Sequence, residues 1–138
     1  MDYKLSKDEK LTSRTAIERL FDEGKSIMAF PLRAAYRLRP CGEHPVQFLI
    51  SIPKKRIRKA VGRVTLRRRT REAYRLARRE LLLPALEQHG IGVDIAFVYL
   101  DSTPVPYSVI SEKMNHLLTR IAQEAAEQQL PDNKEESK

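Results

Sequence analysis

Arginine and lysine side chains have the clearest chemical potential in this sequence, and half of them lie in one stretch. Residues 54–79 contain 13 of the 26 lysines and arginines and a single acid, Glu72. Guanidinium groups form forked, charge-assisted hydrogen bonds with phosphate oxygens. A stretch so rich in arginine and so poor in acids favours a surface that binds a polyanion over a helix face whose charges are merely solvated.

A helix would gather most of these arginines on one side. At about 100° per residue, seven of them fall within an arc of about 160°: Arg63, Arg67, Arg68, Arg71, Arg75, Arg78 and Arg79. Small and apolar residues fall on the opposite side: Gly62, Leu66, Ala73, Leu76 and Ala77. Only Arg69 breaks this division, and its long side chain can reach water from the apolar side.

Residues that could catalyse a reaction or hold a metal show no useful spacing. The three histidines lie far apart in dissimilar contexts, and no glycine-rich phosphate loop is present. Asp94 is the one carboxylate within an apolar strand, and we expect it at a strand end or edge. The sequence therefore predicts no catalytic residue and no metal site, so a reaction would have to be carried out by a partner.

Length and charge restrict the class of protein further. A chain of 138 residues forms one domain with a real core, and a net charge of +8 suits a nucleic acid or an anionic membrane surface. The apolar run 91–100 is too short to span a bilayer, and the first ten residues do not resemble a signal peptide. The lone cysteine, Cys41, fits a reducing compartment. We expect a cytoplasmic protein.

Hydrophobic periodicity gives the elements that must position the basic stretch. Helices are predicted at 11–23, capped by Thr12 or Ser13, at 60–83, ended by Pro84, and at 109–127. Strands are predicted at 26–30, 32–38, 46–52 and 91–100. The first three are joined by short loops and are expected to be antiparallel neighbours, whereas the last is expected at the sheet centre.

The α-β-β-β-α-β-α order predicts an α+β fold, a two-layer sandwich with helices packed on one sheet. We expect a flexible lead at 1–10, a single domain at 11–128 and a disordered tail at 129–138.

The chain resembles the protein subunit of bacterial ribonuclease P over residues 5–122. That family carries A-V-x-R-N-R-x-x-K-R-x-x-R-E after a strand and a K-K pair. This chain has Lys54-Lys55 and then reads A-V-G-R-V-T-L-R-R-R-T-R-E from Ala60 to Glu72. The segment T-A-I-E-R-L-F-D-E-G-K resembles the family's first helix, and P-L-R-A-A-Y-R-L resembles its second strand.

The resemblance implies a four-stranded sheet with an unusual left-handed crossover around the basic helix. It also implies that residues 11–128 form an RNA-binding domain, which binds a catalytic RNA and the 5′ leader of precursor tRNA. A membrane partner and a small-molecule substrate are not expected. The complex would be an endoribonuclease that removes the leader, with the hydrolysis performed by the RNA and its bound Mg²⁺. This division of labour agrees with the absence of catalytic side chains.

The resemblance also assigns roles to residues. Contacts with RNA are expected from Arg63, Arg67, Arg68, Arg71 and Arg75, together with Lys54 and Lys55. The leader cleft, between the first helix, the sheet and the start of the basic helix, is expected to contain Ile17, Phe21 and Tyr36. Phe21 and Tyr36 would stack on unpaired nucleotides or, as the alternative, belong to the core.

One departure from the family motif bears on these roles. Where the family has R-N-R, this chain has Arg63-Val64-Thr65, so a polar amide that could orient a phosphate or a hydrated metal is lost. Two other classes of protein remain open: a ribosomal or other structural RNA-binding protein without a role in cleavage, and a DNA-binding regulator. The scarcity of Asn and Gln in the basic stretch argues against the regulator.

Overall fold

A computed structural model of the protein describes residues 9–42 and 44–128. Its elements follow the predicted order: α1 Arg14–Glu23, β1 Lys25–Ala29, β2 Leu32–Pro40, β3 Val46–Ser51, α2 Ala60–Ala77, α3 Leu83–His89, β4 Ile91–Tyr99 and α4 Tyr107–Gln128. A π-helical turn, Arg78–Leu82, joins α2 to α3. The Ser13 side chain accepts a hydrogen bond from the Ala16 amide at 3.3 Å and caps α1. The α+β class is confirmed.

The four strands form one sheet in the order β1-β2-β4-β3. β1 pairs with β2 and β2 with β4 in antiparallel fashion, whereas β3 and β4 are parallel. The predicted pairing of β2 with β3 is therefore wrong, because β4 lies between them. β4 is buried on both faces along most of its length, as a central strand must be. The parallel pair requires a crossover, which residues 60–89 supply; its left-handedness stays a prediction of the resemblance.

Helices cover both faces of the sheet, which corrects the two-layer prediction. Residues alternate along β2, so Leu32 and Tyr36 face the core beneath α2 and α4. Ala35 points to the other face, where it packs with Leu20 of α1. The strand alternation and the core position of Leu20 are as predicted. α1 forms a third layer. Its apolar side chains have to be buried, and the longer helices α2 and α4 already occupy the other face of the sheet.

The basic helix continues beyond its predicted end at Pro84. This proline lies in the first turn of α3, where the missing N–H would have no helical partner. The π-helical turn lies before the proline and separates α3 from α2. Gly90 ends α3 with a left-handed φ of 65°, as expected for a glycine after the last helical residue.

The residues before α1 are fastened to the free edge of β3. Lys10 forms a parallel bridge with Phe48, and the Leu11 amide donates to the Phe48 carbonyl at 2.8 Å. We call residues 9–12 the N-terminal strap. The folded region thus begins before the predicted boundary at residue 11. The rest of the predicted flexible lead, and the predicted tail at 129–138, lie outside the described residues.

Asp94 lies in the middle of the central strand, not at an end or edge as predicted. Only 4% of it is exposed. Arg39 on the neighbouring strand donates to its carboxylate at 2.9 Å and to the His44 carbonyl at 3.1 Å. The guanidinium lies directly over Gly92, where any side chain would collide with it. Asp94 therefore has a structural role as half of a buried ion pair.

Candidate nucleic-acid interface

A groove of about 460 Å³ runs between the N-terminal strap, the edge strand β3 and helix α2. We call it the basic groove. It is lined by Lys10, Leu11, Thr12, Phe48, Leu49, Ile50, Val64, Arg67, Arg68 and Arg71. The charged lining residues are all cations, and the strand and Leu11 supply an apolar floor. Such a surface can hold phosphate groups against its cationic wall and the apolar parts of a ligand against its floor.

One stripe of α2 forms the cationic wall. Val64, Arg67, Arg68 and Arg71 are spaced i, i+3, i+4 and i+7, so they share a helix face. Leu66, Thr70 and Ala73 are buried and hold the opposite face on the core. Arg67, Arg68 and Arg71 are exposed, and within the described part of the chain none of them pairs with a carboxylate. Three guanidinium groups are therefore available together for an external anion.

The remaining arginines of the predicted arc are engaged within the protein. Arg75 donates to both carboxylate oxygens of Glu72, at 3.1 and 2.7 Å, and these hydrogen bonds lower the pKa of Glu72. Arg63 donates to the carbonyls of Ile57 and Arg58 and so closes the turn before α2.

Arg78 corrects the prediction most strongly. It is only 4% exposed and forms an ion pair with Glu9 of the strap at 3.3 Å. Helical angle alone placed Arg78 among the phosphate-facing arginines. However, Tyr74, one turn earlier on the same side of the helix, is fully buried, and the Arg78 side chain is buried with it. Arg69 also differs from its prediction, because its guanidinium donates to the Val105 carbonyl at 2.6 Å. Leu76, predicted on the apolar side, is 40% exposed.

The two predicted lysines lie away from the basic groove. Residues 53–57 form a turn in which the amides of Arg56 and Ile57 bond to the Pro53 carbonyl. Lys54 and Lys55 are both exposed on this turn. Lys55 lines a second depression of about 510 Å³, shared with Arg56, Arg58, Lys59 and the loop after β4. The structure thus gives the basic stretch two cationic concavities, one along α2 and one at its start.

The three predicted cleft residues are not brought together. Ile17 packs with the α1-side core, and Phe21 of the same helix is 50% exposed. Tyr36 is 3% exposed on the opposite face of the sheet. Burial, and then the charge of the neighbouring Glu124, raise the pKa of Tyr36 to about 12. The strand period of two explains the correction, since the alternative that Tyr36 belongs to the core is the one seen.

Sequence reasoning missed several residues of the groove. Lys10 had no signal, because its place beside α2 depends on a strap that runs along the edge of β3. Phe48 reads only as a strand core residue, and its ring contacts that of Tyr74 with centroids 4.3 Å apart. Val64 carried a signal as a departure from the family motif, and the structure puts it, 51% exposed, in the arginine stripe.

The described residues contain neither a helix that could span a membrane nor a metal-binding cluster. Every helix among residues 9–42 and 44–128 is too short or too polar to cross a bilayer. In the same part of the chain, no three His, Cys, Asp or Glu side chains come together as a metal-binding set.

Comparison with known proteins agrees with the fold. The family model described as Ribonuclease P matches residues 5–122. The ribonuclease P protein components of two Porphyromonas gingivalis strains are 40% and 39% identical to this chain over 121 residues, which cover 86% of each sequence.

Two solved structures have a similar fold. The RNase P protein from Thermotoga maritima has a TM-score of 0.64 at 25% identity, covering 81% of this chain and 96% of its own. The Staphylococcus aureus RNase P protein has a TM-score of 0.65 at 19% identity, covering 83% and 95%. The chain therefore belongs to the ribonuclease P protein family and is the protein component of a ribonucleoprotein endoribonuclease that acts in tRNA 5′-end processing.

Proposed function

We propose that the cationic wall of the basic groove holds the catalytic RNA of the ribonucleoprotein. The observation that carries this proposal is the alignment of Arg67, Arg68 and Arg71, exposed and without carboxylate partners in the described chain. Each guanidinium can form a charge-assisted, forked contact with a phosphate. Their common helix face is fixed by the buried side of α2, so the contacts are oriented before the RNA arrives.

The finer partner in this proposal is precursor tRNA, whose single-stranded leader lies along the α1 side of the sheet. Phe21 is half exposed there. Met28, paired with Arg33 across the strands and therefore on the same face, is 59% exposed. Exposed apolar side chains beside a half-buried arginine suit unpaired bases and their phosphates. Tyr36 has no part in this contact, because its ring is enclosed on the other face.

Magnesium belongs to the RNA partner in this proposal. The basic groove offers four cationic side chains and no carboxylate, so its residues do not fit a divalent cation. Replacement of the family's asparagine by Val64 removes a further oxygen ligand from this place. The protein contributes by neutralising phosphate charge, which lets the folded RNA assemble with less bound cation.

Reconstitution tests the proposal against its strongest alternative. The protein is added to ribonuclease P RNA from P. gingivalis at low Mg²⁺, and cleavage of a precursor tRNA is followed together with RNA binding. We expect the protein to bind the RNA and to stimulate removal of the leader. Binding without stimulation would favour a structural RNA-binding protein, and loss of stimulation at equal occupancy in Phe21→Ala would support the leader contact.

A further inference from the structure

A buried ion pair fixes the strap that forms one side of the basic groove. Glu9 and Arg78 meet at 3.3 Å, with side-chain exposures of 16% and 5%. Tyr74 lies one turn before Arg78, and its fully buried hydroxyl is influenced by both charges; burial raises its pKa above the usual range. Separating two charges that are this poorly hydrated has a high free-energy cost. The pair therefore holds Glu9 against the start of the π-helical turn.

The strap has two further attachments to the fold. The Leu11 amide bonds to the Phe48 carbonyl at 2.8 Å, and the Leu11 side chain is 4% exposed beside Leu20. Lys10 lies between these anchors, with Glu9 held on one side and Leu11 on the other. Its own side chain is exposed and lines the groove opposite the arginine stripe.

We infer that Lys10 is a fourth phosphate-contacting residue and that the Glu9–Arg78 pair is the clamp that positions it. This inference rests on the proposed function, since the phosphate belongs to the catalytic RNA held by Arg67, Arg68 and Arg71. With the clamp closed, Lys10 places a cation on the side of the groove opposite the arginines of α2. With the clamp open, the strap can leave the edge of β3, and the groove loses that cation.

This arrangement explains why one arginine of a phosphate-binding helix is turned inward. Arg78 contributes to RNA binding through Glu9 and not by contact with RNA. It is therefore a positioning residue, and its effect must pass through Lys10. That dependence separates the clamp from a purely structural ion pair, whose loss would weaken RNA binding whether or not Lys10 is present.

A double-mutant cycle on the full-length protein measures this dependence. The affinity for P. gingivalis ribonuclease P RNA is measured for wild type, Lys10→Ala, Glu9→Gln and the double variant, at one salt concentration. We expect a loss on the order of tenfold for Lys10→Ala and a similar loss for Glu9→Gln. The double variant should lose about tenfold rather than the hundredfold of independent effects. Lys10→Ala carries little folding risk, because the side chain is exposed.

Glu124→Gln is the matched control, since it removes one carboxylate from the Lys25–Glu124 ion pair far from the groove. It changes the net charge as Glu9→Gln does and should not weaken RNA binding. Hydrogen exchange at the Leu11 amide gives a second readout, which Glu9→Gln should accelerate more than exchange in β4. Additive losses, or an unchanged affinity in Lys10→Ala, would overturn the clamp. An unchanged RNA affinity in Arg67→Ala combined with Arg71→Ala would instead overturn the proposed function.

Discussion

Removing two arginines of the free stripe should weaken RNA binding and flatten its salt dependence. Arg67→Ala combined with Arg71→Ala deletes two exposed guanidinium groups that have no carboxylate partner among the described residues. A hydrogen bond to a charged group contributes about 1.5 kcal/mol or more, so two lost contacts amount to about 3 kcal/mol, or roughly a hundredfold in affinity. Each lost phosphate contact should also reduce the slope of log K against log salt by about 0.9, and the pair by about 1.8.

The assay is a titration of fluorescent ribonuclease P RNA at several salt concentrations. Arg14→Ala combined with Arg19→Ala is the matched control, because it removes the same charge from two exposed positions of α1. If affinity depended on net charge alone, both double variants would lose the same amount. Equal slopes in the two variants, or a wild-type slope in Arg67→Ala with Arg71→Ala, would refute the assignment of the stripe to phosphate contacts.

Three further outcomes follow from the geometry. Arg78→Ala removes one partner of the buried Glu9–Arg78 ion pair and should lower the free energy of unfolding by about 3 kcal/mol in urea, whereas Arg71→Ala should change it by less than about 0.5 kcal/mol; equal effects would contradict the buried pair. The fold raises the pKa of Tyr36 from 10.0 to about 12, so its contribution to stability is complete below pH 10 and is lost as pH rises to 12; the Tyr36→Phe variant should lack this part of the alkaline loss, as followed by circular dichroism. Phe21→Ala should weaken binding of precursor tRNA about tenfold more than binding of mature tRNA, and an equal loss for both would exclude the leader contact.

Local patterns sufficed for most elements but not for their arrangement. The period of two along β2 predicted which residues share a face, and the apolar run of β4 predicted a central strand. The neighbours of β3 could not be predicted, because the short loop after β2 favoured direct pairing of β2 with β3. Burial of the apolar strand β4 between two neighbouring strands outweighs the direct pairing of β2 with β3. This burial depends on the whole sheet and not on a local pattern.

The fate of the arginines shows the same limit more sharply. Helical angle gives the same prediction for Arg71 and Arg78, because both fall in one arc of the predicted helix at 60–83. They differ in their surroundings: Arg71 faces the groove, whereas Arg78 meets a carboxylate 69 positions earlier in the chain. Arg69 is likewise bound to a carbonyl of a loop that follows β4. Sequence spacing can locate a cationic helix, but long-range partners decide which of its charges remain available.

This selection has a consequence for how the protein recognises RNA. If all seven arginines of the arc were free, the helix would present a broad and nearly uniform positive surface to any polyanion. The structure engages four of them internally, Arg63, Arg75, Arg78 and Arg79, and leaves three guanidinium groups beside an apolar floor. A narrower cationic strip demands a matching arrangement of phosphates. If the groove binds RNA as proposed, internal pairing lowers the affinity for polyanions in general and raises the selectivity for a folded RNA whose backbone follows the groove.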